Sequence, residues 1–445
     1  MTHQAARQAL QASPETAVEE AARPSKWKLQ NAARQLLPEN ERICACHRLI
    51  ADSTAGVKVR RDADKAWFAG VAACGSVWIC RVCAGKIGET RREQMQLAID
   101  RCIGQGGDVA LITLTFSHSI YHKLRDLLPA LTKAQRKLKS GRQWQRIKEK
   151  YGIIGSVRAL EITHGRNGWH PHVHEIEFFD RPLTHSEQDE LRAEIFDLWL
   201  IACTKVGLGL PSEAHGVDVR GATRAAQYVG KWGFASELAR GTGKTGWAGR
   251  TPWQLLEDYL QGDQLAGELW KEFSGVFMGR RQLFWSKGLR DHLEMGELFT
   301  DEELADCDKQ TEDTSDVVTI DQYQWGIVCR AEARGKVLRL AMGPVDKLKE
   351  FLQRLRAKAD EAAMAKAMSE VSKISDERFW RNHFLLQHDK FPPGKRYHAP
   401  PGDVRFIVTS DGREIDLHQV RDEYRAQRKL QEDYEFFKLN SEGSV

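Results

Sequence analysis

Three side chains in one short stretch have the types and spacing to hold a divalent cation. Residues 157 to 179, VRALEITHGRNGWHPHVHEIEFF, place His172 and His174 two positions apart. Neighbours in an extended strand alternate between faces, so both imidazoles project one way while Val173 points to the other side. Glu161 lies in the alternating run Leu160-Glu161-Ile162-Thr163, ahead of a turn that contains Gly and Asn. If the two strands close as a hairpin, its carboxylate comes beside the imidazoles. Two nitrogens and one carboxylate oxygen then form a facial set that leaves the ion's other positions open to substrate oxygens. His170 shares that strand face, one position before Pro171.

Cysteines make a second metal pattern. Cys44-Ala45-Cys46-His47 is followed, past a loop, by Cys74 and then by Cys80-x-x-Cys83, the spacing of a zinc knuckle. Spacing leaves the fourth ligand open among Cys44, Cys46 and His47, and Cys44 is the expected choice. Such a site is structural and closed, since four protein ligands leave no position for water.

A third feature is a nucleophile. In the helical segment Thr223 to Trp232, Arg224, Tyr228 and Lys231 fall at i−4, i and i+3 and share a face. A free phenol titrates near 10, so cationic neighbours and a metal favour the phenolate, which can attack a phosphodiester. A packed or surface tyrosine is the plainer reading, and the histidine strand is what weighs against it.

The elements that must position these groups follow from the rest of the chain. Its 445 residues are 41% hydrophobic and 29% charged, which describes a globular protein with a good-sized core and some flexible parts. The N-terminal segment has no signal-peptide core, and no run approaches the roughly 18 apolar residues that span a bilayer. The expected location is the cytoplasm, where nine cysteines argue for metal rather than disulfides. The net charge of +4 says less than its distribution. Residues 121 to 150 carry ten basic side chains against Asp126 and Glu149, and residues 301 to 316 carry eight acids against Lys309. The acidic run reads as a linker.

Apolar spacing predicts a helix over 86–103 and a buried strand over 108–118, with Thr113 and Thr115 on one face able to support ligands or phosphate oxygens. The basic stretch reads as a helical hairpin on Leu124, Leu127, Leu128, Leu131 and Leu138, able to contact phosphate. A helix follows over 184–205, opened by Thr184 or Ser186, then a strand near 216–220 and a helix from Pro252. Gly241 to Thr245 imitates a phosphate-binding loop, but Leu238 stands where that pattern needs glycine. It reads as a flexible loop. Between Phe277 and Leu289, Arg280, Arg281 and Lys287 interleave with Phe284 and Trp285, able to contact a backbone and stack on unpaired bases. Two strands are expected over 317–342 and an amphipathic helix over 344–372.

Taken together these residues resemble the plasmid rolling-circle replication initiators of the histidine-hydrophobic-histidine endonuclease superfamily. The resemblance rests on the cysteine knuckle, Thr113-Leu114-Thr115-Phe116-Ser117-His118, the segment from Glu161 to His174, and Tyr228-Val229-Gly230-Lys231-Trp232. It covers about Cys44 to Leu289, with Arg250-Thr251-Pro252 and Trp285 to Leu289 included, and leaves out both termini. It implies an α+β fold with a central antiparallel sheet flanked by helices, an N-terminal zinc-knuckle element and a smaller C-terminal α/β region. The expected segments are a disordered or loosely helical 1–35, the knuckle and a helix over 36–103, a metal-dependent tyrosine endonuclease over 104–300, the linker 301–316, and a C-terminal region 317–445 of unassigned role.

By the same resemblance, His172, His174 and Glu161 bind Mg²⁺ or Mn²⁺, Tyr228 is the nucleophile with Lys231 one turn on, and zinc is structural. Arg224, Arg280, Arg281 and Lys287 are the expected DNA contacts. The implied activity is nicking of one strand at a plasmid origin through a 5′-phosphotyrosine, followed by rejoining. The partners would be origin DNA, single-stranded or hairpin at the nick, with a host helicase and polymerase, and no membrane. One departure stands out: some relatives carry a glutamate one turn before the tyrosine, where this chain has Arg224, so no termination base is assigned. Rival readings are a conjugative relaxase or single-strand transposase with the same chemistry, a non-catalytic zinc-stabilised DNA-binding regulator, and, more weakly, a small-molecule metallo-hydrolase.

Overall fold

Tight turns decide which strands meet, and the two-residue turn Arg166-Asn167 is the central one. Gly168, at φ +83°, sits where a Cβ would lie 3.0 Å from the Ile120 Cα, so the residue that closes the hairpin is one that needs no side chain. The computed structural model describes residues 24–51, 55–238, 249–306, 314–373, 406–408 and 414–416, with side chains left out of 231–238, 364–373 and the last two segments. The loop Gly241 to Thr245, the first 23 residues, residues 307–313 of the acidic run and the region from Phe379 to Pro401 lie outside the described residues.

Along the chain come α1 (Lys26–Gln35), β1 (Val57–Arg61), β2 (Ala66–Ala69), α2 (Arg81–Gly104), β3 (Asp108–Leu114), α3 (Leu124–Leu138) and α4 (Arg142–Tyr151). Then follow β4 (Ile153–Gly165), β5 (Gly168–Phe179), α5 (His185–Val206), β6 (Val217–Arg220), α6 (Ala222–Leu238), α7 (Pro252–Leu260), α8 (Gln264–Phe277) and β7 (Leu283–Trp285). The remainder holds β8 (Ser315–Ile320), α9 (Gln322–Arg330), α10 (Arg334–Ala341), α11 (Val345–Lys373), β9 (Phe406–Val408) and β10 (Glu414–Asp416). No described helix is long and apolar enough to cross a membrane.

The chain divides into two compact units. In the first, Met1–Cys44 with Ala73–Lys309, five strands form an antiparallel sheet in the order β6-β3-β5-β4-β7. The expected α+β class with a central antiparallel sheet is thus observed. One face of the sheet presents Val109, Leu111, Val157, Ala159, Ile176 and Phe178 to Met95, Ala98, Ile99 and Cys102 of α2 and to Ala225 and Val229 of α6. Each of the larger of these side chains (Val, Leu, Ile, Phe, Met), taken out of water, stabilises the fold by about 1.5–3 kcal/mol. The opposite face carries Val173, Glu175 and Glu177, and Lys139 at the end of α3 pairs with both carboxylates. Burial is the largest influence on Glu177 and, even against Lys139, leaves its carboxyl raised to about 7.

Several boundaries differ from expectation. Asp301–Asp306, expected within a linker, is a short helix with Leu304 and Ala305 buried, and Asp301 accepts a hydrogen bond from Arg91 at 3.0 Å. Residues Ala45–Ala72, expected to continue with the knuckle and its helix, belong instead with Gln310–Val445 as the second unit. There β1 pairs antiparallel with β2 and with β8. Over 317–342 one strand and two helices replace the expected pair of strands. Trp325, Ile327, Val328 and Cys329 are all buried in α9, so an apolar run that fits a strand by length closes as a helix on its Asp321 N-cap.

Candidate metal and tyrosine site

The site is assembled by register. Antiparallel pairing of β4 with β5 sets Glu161 directly opposite His172 and Ala159 opposite His174, while β3 brings Thr113 opposite His174 on the other side. One Glu161 oxygen, Oε2, lies 3.4 Å from the Nε2 of His172 and 3.4 Å from the Nε2 of His174. The three side chains form a half-buried group whose ligand atoms are all within 4.8 Å of one another.

Both rings are held by their other nitrogen. His174 Nδ1 is 3.0 Å from Thr113 Oγ1, and His172 Nδ1 is 3.2 Å from the His170 carbonyl oxygen. A carbonyl only accepts, so Nδ1 of His172 carries a proton, and Nε2 is the ring atom turned toward Glu161. Fixing Nδ1 in this way is what a histidine metal ligand requires. Burial pushes the Glu161 carboxyl upward, but hydrogen bonds with His172 and His174 and the charge of those rings outweigh it and hold the carboxyl far below the ordinary carboxylate range. Glu161 is therefore an anion at neutral pH, as a hard-cation ligand must be. The donor set fits one divalent ion.

Tyr228 completes the group from α6. Its hydroxyl donates to Glu161 Oε1 at 2.7 Å, and its ring lies 4.8 Å from that of His174. The phenol hydroxyl is thus held by a carboxylate. Arg224 is exposed and donates to Gln227 at 3.3 Å, and the side chain of Lys231 lies outside the described ones. His118 and His170, beside this group, lie with ring centroids 4.7 Å apart and planes tilted by 37°. Burial first, then the charges of His172 and His118, push His170 down to about 4.

The remaining expected residues are placed apart. Arg280, Arg281 and Lys287 are exposed, and none has an assigned contact with the histidine–carboxylate group among the described residues. The aromatic pair between them splits: Trp285 packs against the core, whereas Phe284 is 38% exposed and lies under the Arg158 guanidinium.

Four thiols form the other donor group, and they are Cys46, Cys74, Cys80 and Cys83, all buried and mutually within 4.8 Å. Cys44, the expected fourth ligand, instead turns its sulfur toward the Pro38 carbonyl oxygen at 3.5 Å. Cys74 and Cys83 sulfurs are 3.7 Å apart, close to the edge of about 3.8 Å that four thiolates share around an ion with metal–sulfur bonds of about 2.3 Å. Cys80 caps α2 and Cys83 lies in its first turn, so one short turn presents two of the four sulfurs. Gln30, unremarked in the sequence because 50 residues separate the pair, donates to Cys80 sulfur at 3.3 Å. By contrast burial pushes Cys102 up to about 11 and Cys203 up to about 12. These two are packing thiols.

No family model matches the chain, and no solved structure matches it. Among curated proteins it is similar to "Protein rep" of Streptomyces lividans, 29% identical over 313 residues, a match that takes in 55% of this chain and 67% of that protein. It is also similar to "Neomycin resistance protein" of Streptomyces cyanogenus, 34% identical over 151 residues, 28% of this chain and 35% of that protein.

Proposed function

We propose that the chain is a plasmid rolling-circle replication initiator that nicks one DNA strand at the origin through a 5′-phosphotyrosine and later rejoins it. The observation that carries this reading is the arrangement around Glu161: one oxygen takes the Tyr228 hydroxyl, and the other faces two imidazole nitrogens. Similarity to a protein named for replication agrees with it.

In this reading His172, His174 and Glu161 hold Mg²⁺ or Mn²⁺. Such an ion, when bound, supplies Lewis-acid polarisation of a phosphoryl oxygen. Glu161 Oε1 orients the Tyr228 hydroxyl toward the same point in space. The phenol oxygen attacks phosphorus in line, a P–O bond to tyrosine forms, and the bond from phosphorus to the 3′-oxygen breaks. The proton lost by the phenol is balanced by the one taken up at the released 3′-oxygen, whose hydroxyl then primes synthesis. Lys231 and Arg224, on the same helix, are phosphate contacts. A later attack by a 3′-hydroxyl reverses the exchange and frees Tyr228. The four thiols hold zinc as a structural site, and the protein works in the bacterial cytoplasm with a host helicase and polymerase.

The test is a denaturing gel of the purified chain with Mn²⁺ and labelled single-stranded origin oligonucleotides. A labelled band at protein size that vanishes with chelator and in Tyr228→Phe is the expected outcome. Adduct formation that survives Tyr228→Phe, or its absence on every origin-derived strand and on supercoiled plasmid, overturns the reading.

A further inference from the structure

The basic stretch supplies a surface that the tyrosine chemistry does not use. At 3.6 residues per turn, Arg125, Lys133, Arg136 and Lys137 fall within an arc of about 120° on α3, opposite the buried Leu127, Leu128, Leu131 and Leu138. Arg142 and Arg146 continue it on the exposed side of α4, whose other side buries Trp144, Ile147 and Tyr151.

None of these six cations has an ion pair or a side-chain hydrogen bond among the described residues, and neither Asp126 nor Glu149 pairs with any of them. Elsewhere on the same unit, several cations are neutralised. Lys150 is bound by Glu190 and Glu194, Arg181 by Glu187, and Arg250 by Asp258 and Asp263. Six like charges left unpaired on one face repel one another, and an anion of extended form relieves that repulsion.

Placement says which anion. Helix α3 lies over the sheet face that carries Glu175 and Glu177, since Lys139 at its end pairs with both. His172, His174 and Tyr228 occupy the other face. An unpaired strand at the tyrosine therefore does not occupy the cationic arc. A groove for single strands also needs a run of exposed aromatics on which bases stack, whereas both aromatics of the α4 helix are buried and the exposed Tyr121 of the stretch precedes α3. Backbone charge alone is what a duplex asks of a protein. Arg125 and Arg136 are separated along the helix by about 16 Å, roughly half of one duplex turn.

We infer that the α3–α4 face is a docking surface for the phosphate backbone of double-stranded DNA, placed on the side of the sheet opposite the tyrosine. The inference rests on the proposed reading in taking origin DNA as the duplex, and goes beyond it in assigning the face and its sequence-independent mode.

Fluorescence anisotropy of the full chain with a short fluorescein-labelled duplex, titrated with KCl, tests this. Replacing Arg125, Lys133, Arg136 and Lys137 together by Gln is expected to weaken duplex binding by about 100-fold and to flatten the log–log salt slope by about 3.6, at roughly 0.9 per phosphate contact. Adduct formation on a single-stranded oligonucleotide should be unchanged. Lys150→Gln, whose charge is already paired, should bind the duplex like the wild type. Wild-type affinity and slope in the quadruple variant, or an equal loss in Lys150→Gln, overturns the inference. So does a quadruple variant that loses single-strand adduct formation in proportion. If the wild type forms no adduct at all, the nicking reading falls, while the duplex measurement still decides for or against this face.

Discussion

Thr113 and the His170 carbonyl do for the two imidazoles what sequence spacing does not, since each takes an Nδ1 and leaves an Nε2 aimed at Glu161. Spacing was enough to place His172 and His174 on one face, and the Gly/Asn turn was enough to fold Glu161 back onto them. The tyrosine was legible as a residue but not in its contacts, because its partner Glu161 is 67 residues away and helix periodicity speaks only of neighbours on the helix. The cysteines show the same limit. Cys44 and Cys46 have equal claims by spacing, and only the short helical turn Arg42–Ala45 decides that Cys44 faces Pro38 while Cys46 is buried. With zinc at the four thiols, Cys46→Ser is expected to purify with substantially less than one zinc per chain and to melt earlier, while Cys44→Ser retains its zinc. Metal analysis after gel filtration checks both.

At the scale of elements, turn and cap chemistry was the most readable part. Thr184 opens α5 with a capping box, its side chain taking the Glu187 backbone N–H while Glu187 returns to Thr184. Arg181 joins at 2.7 Å, and the Arg181 hydrogen bond with the Thr184 contacts draws the half-buried Glu187 carboxyl down to about 2. A carboxyl that titrates lower in the folded chain adds stability above its ordinary value of 4.5, and that stability is lost as pH falls toward 2. The melting temperature of Glu187→Gln should therefore lie below that of the wild type at neutral pH. The gap should close progressively on acidification through that window, as followed by circular dichroism. The strand-versus-helix choice at 322–330 was not legible, because a short apolar run satisfies both periods and the deciding contacts, such as Trp325 donating to the Arg48 carbonyl oxygen at 2.7 Å, are remote in sequence.

For the whole molecule, sequence order was a poor guide to which segments belong together. Pairing of β1 with β8 joins Val57–Arg61 to Ser315–Ile320, and Phe68 of β2 meets Trp325 edge-on at 4.8 Å. Acidic composition read as a linker here because charge marks solvent exposure, and β8 is indeed exposed at Ser315, Asp316 and Thr319, yet its backbone is bonded. Removing residues 310 to 445 should strip β1 of its neighbour and uncover Val57, Val59 and Phe68, now 0%, 0% and 6% exposed. The shortened chain is expected to bind a hydrophobic dye such as anilinonaphthalene sulfonate and to aggregate at concentrations where the full chain stays monodisperse. A fragment that is monodisperse and dye-silent would show that β1 and β2 stand without β8.

That same pairing sets a schedule for the newborn chain. About 250 residues emerge between β1 and its outer neighbour, which at 5–20 residues per second takes on the order of 13–50 s. Throughout that interval the five-stranded sheet can finish while β1 and β2 wait as a two-stranded ribbon with an open edge, the arrangement most exposed to chance pairing with another nascent chain. Polysomes translating this message would carry that ribbon many at a time, so its charged strand Val57-Lys58-Val59-Arg60-Arg61 also serves as a guard until synthesis delivers the third strand.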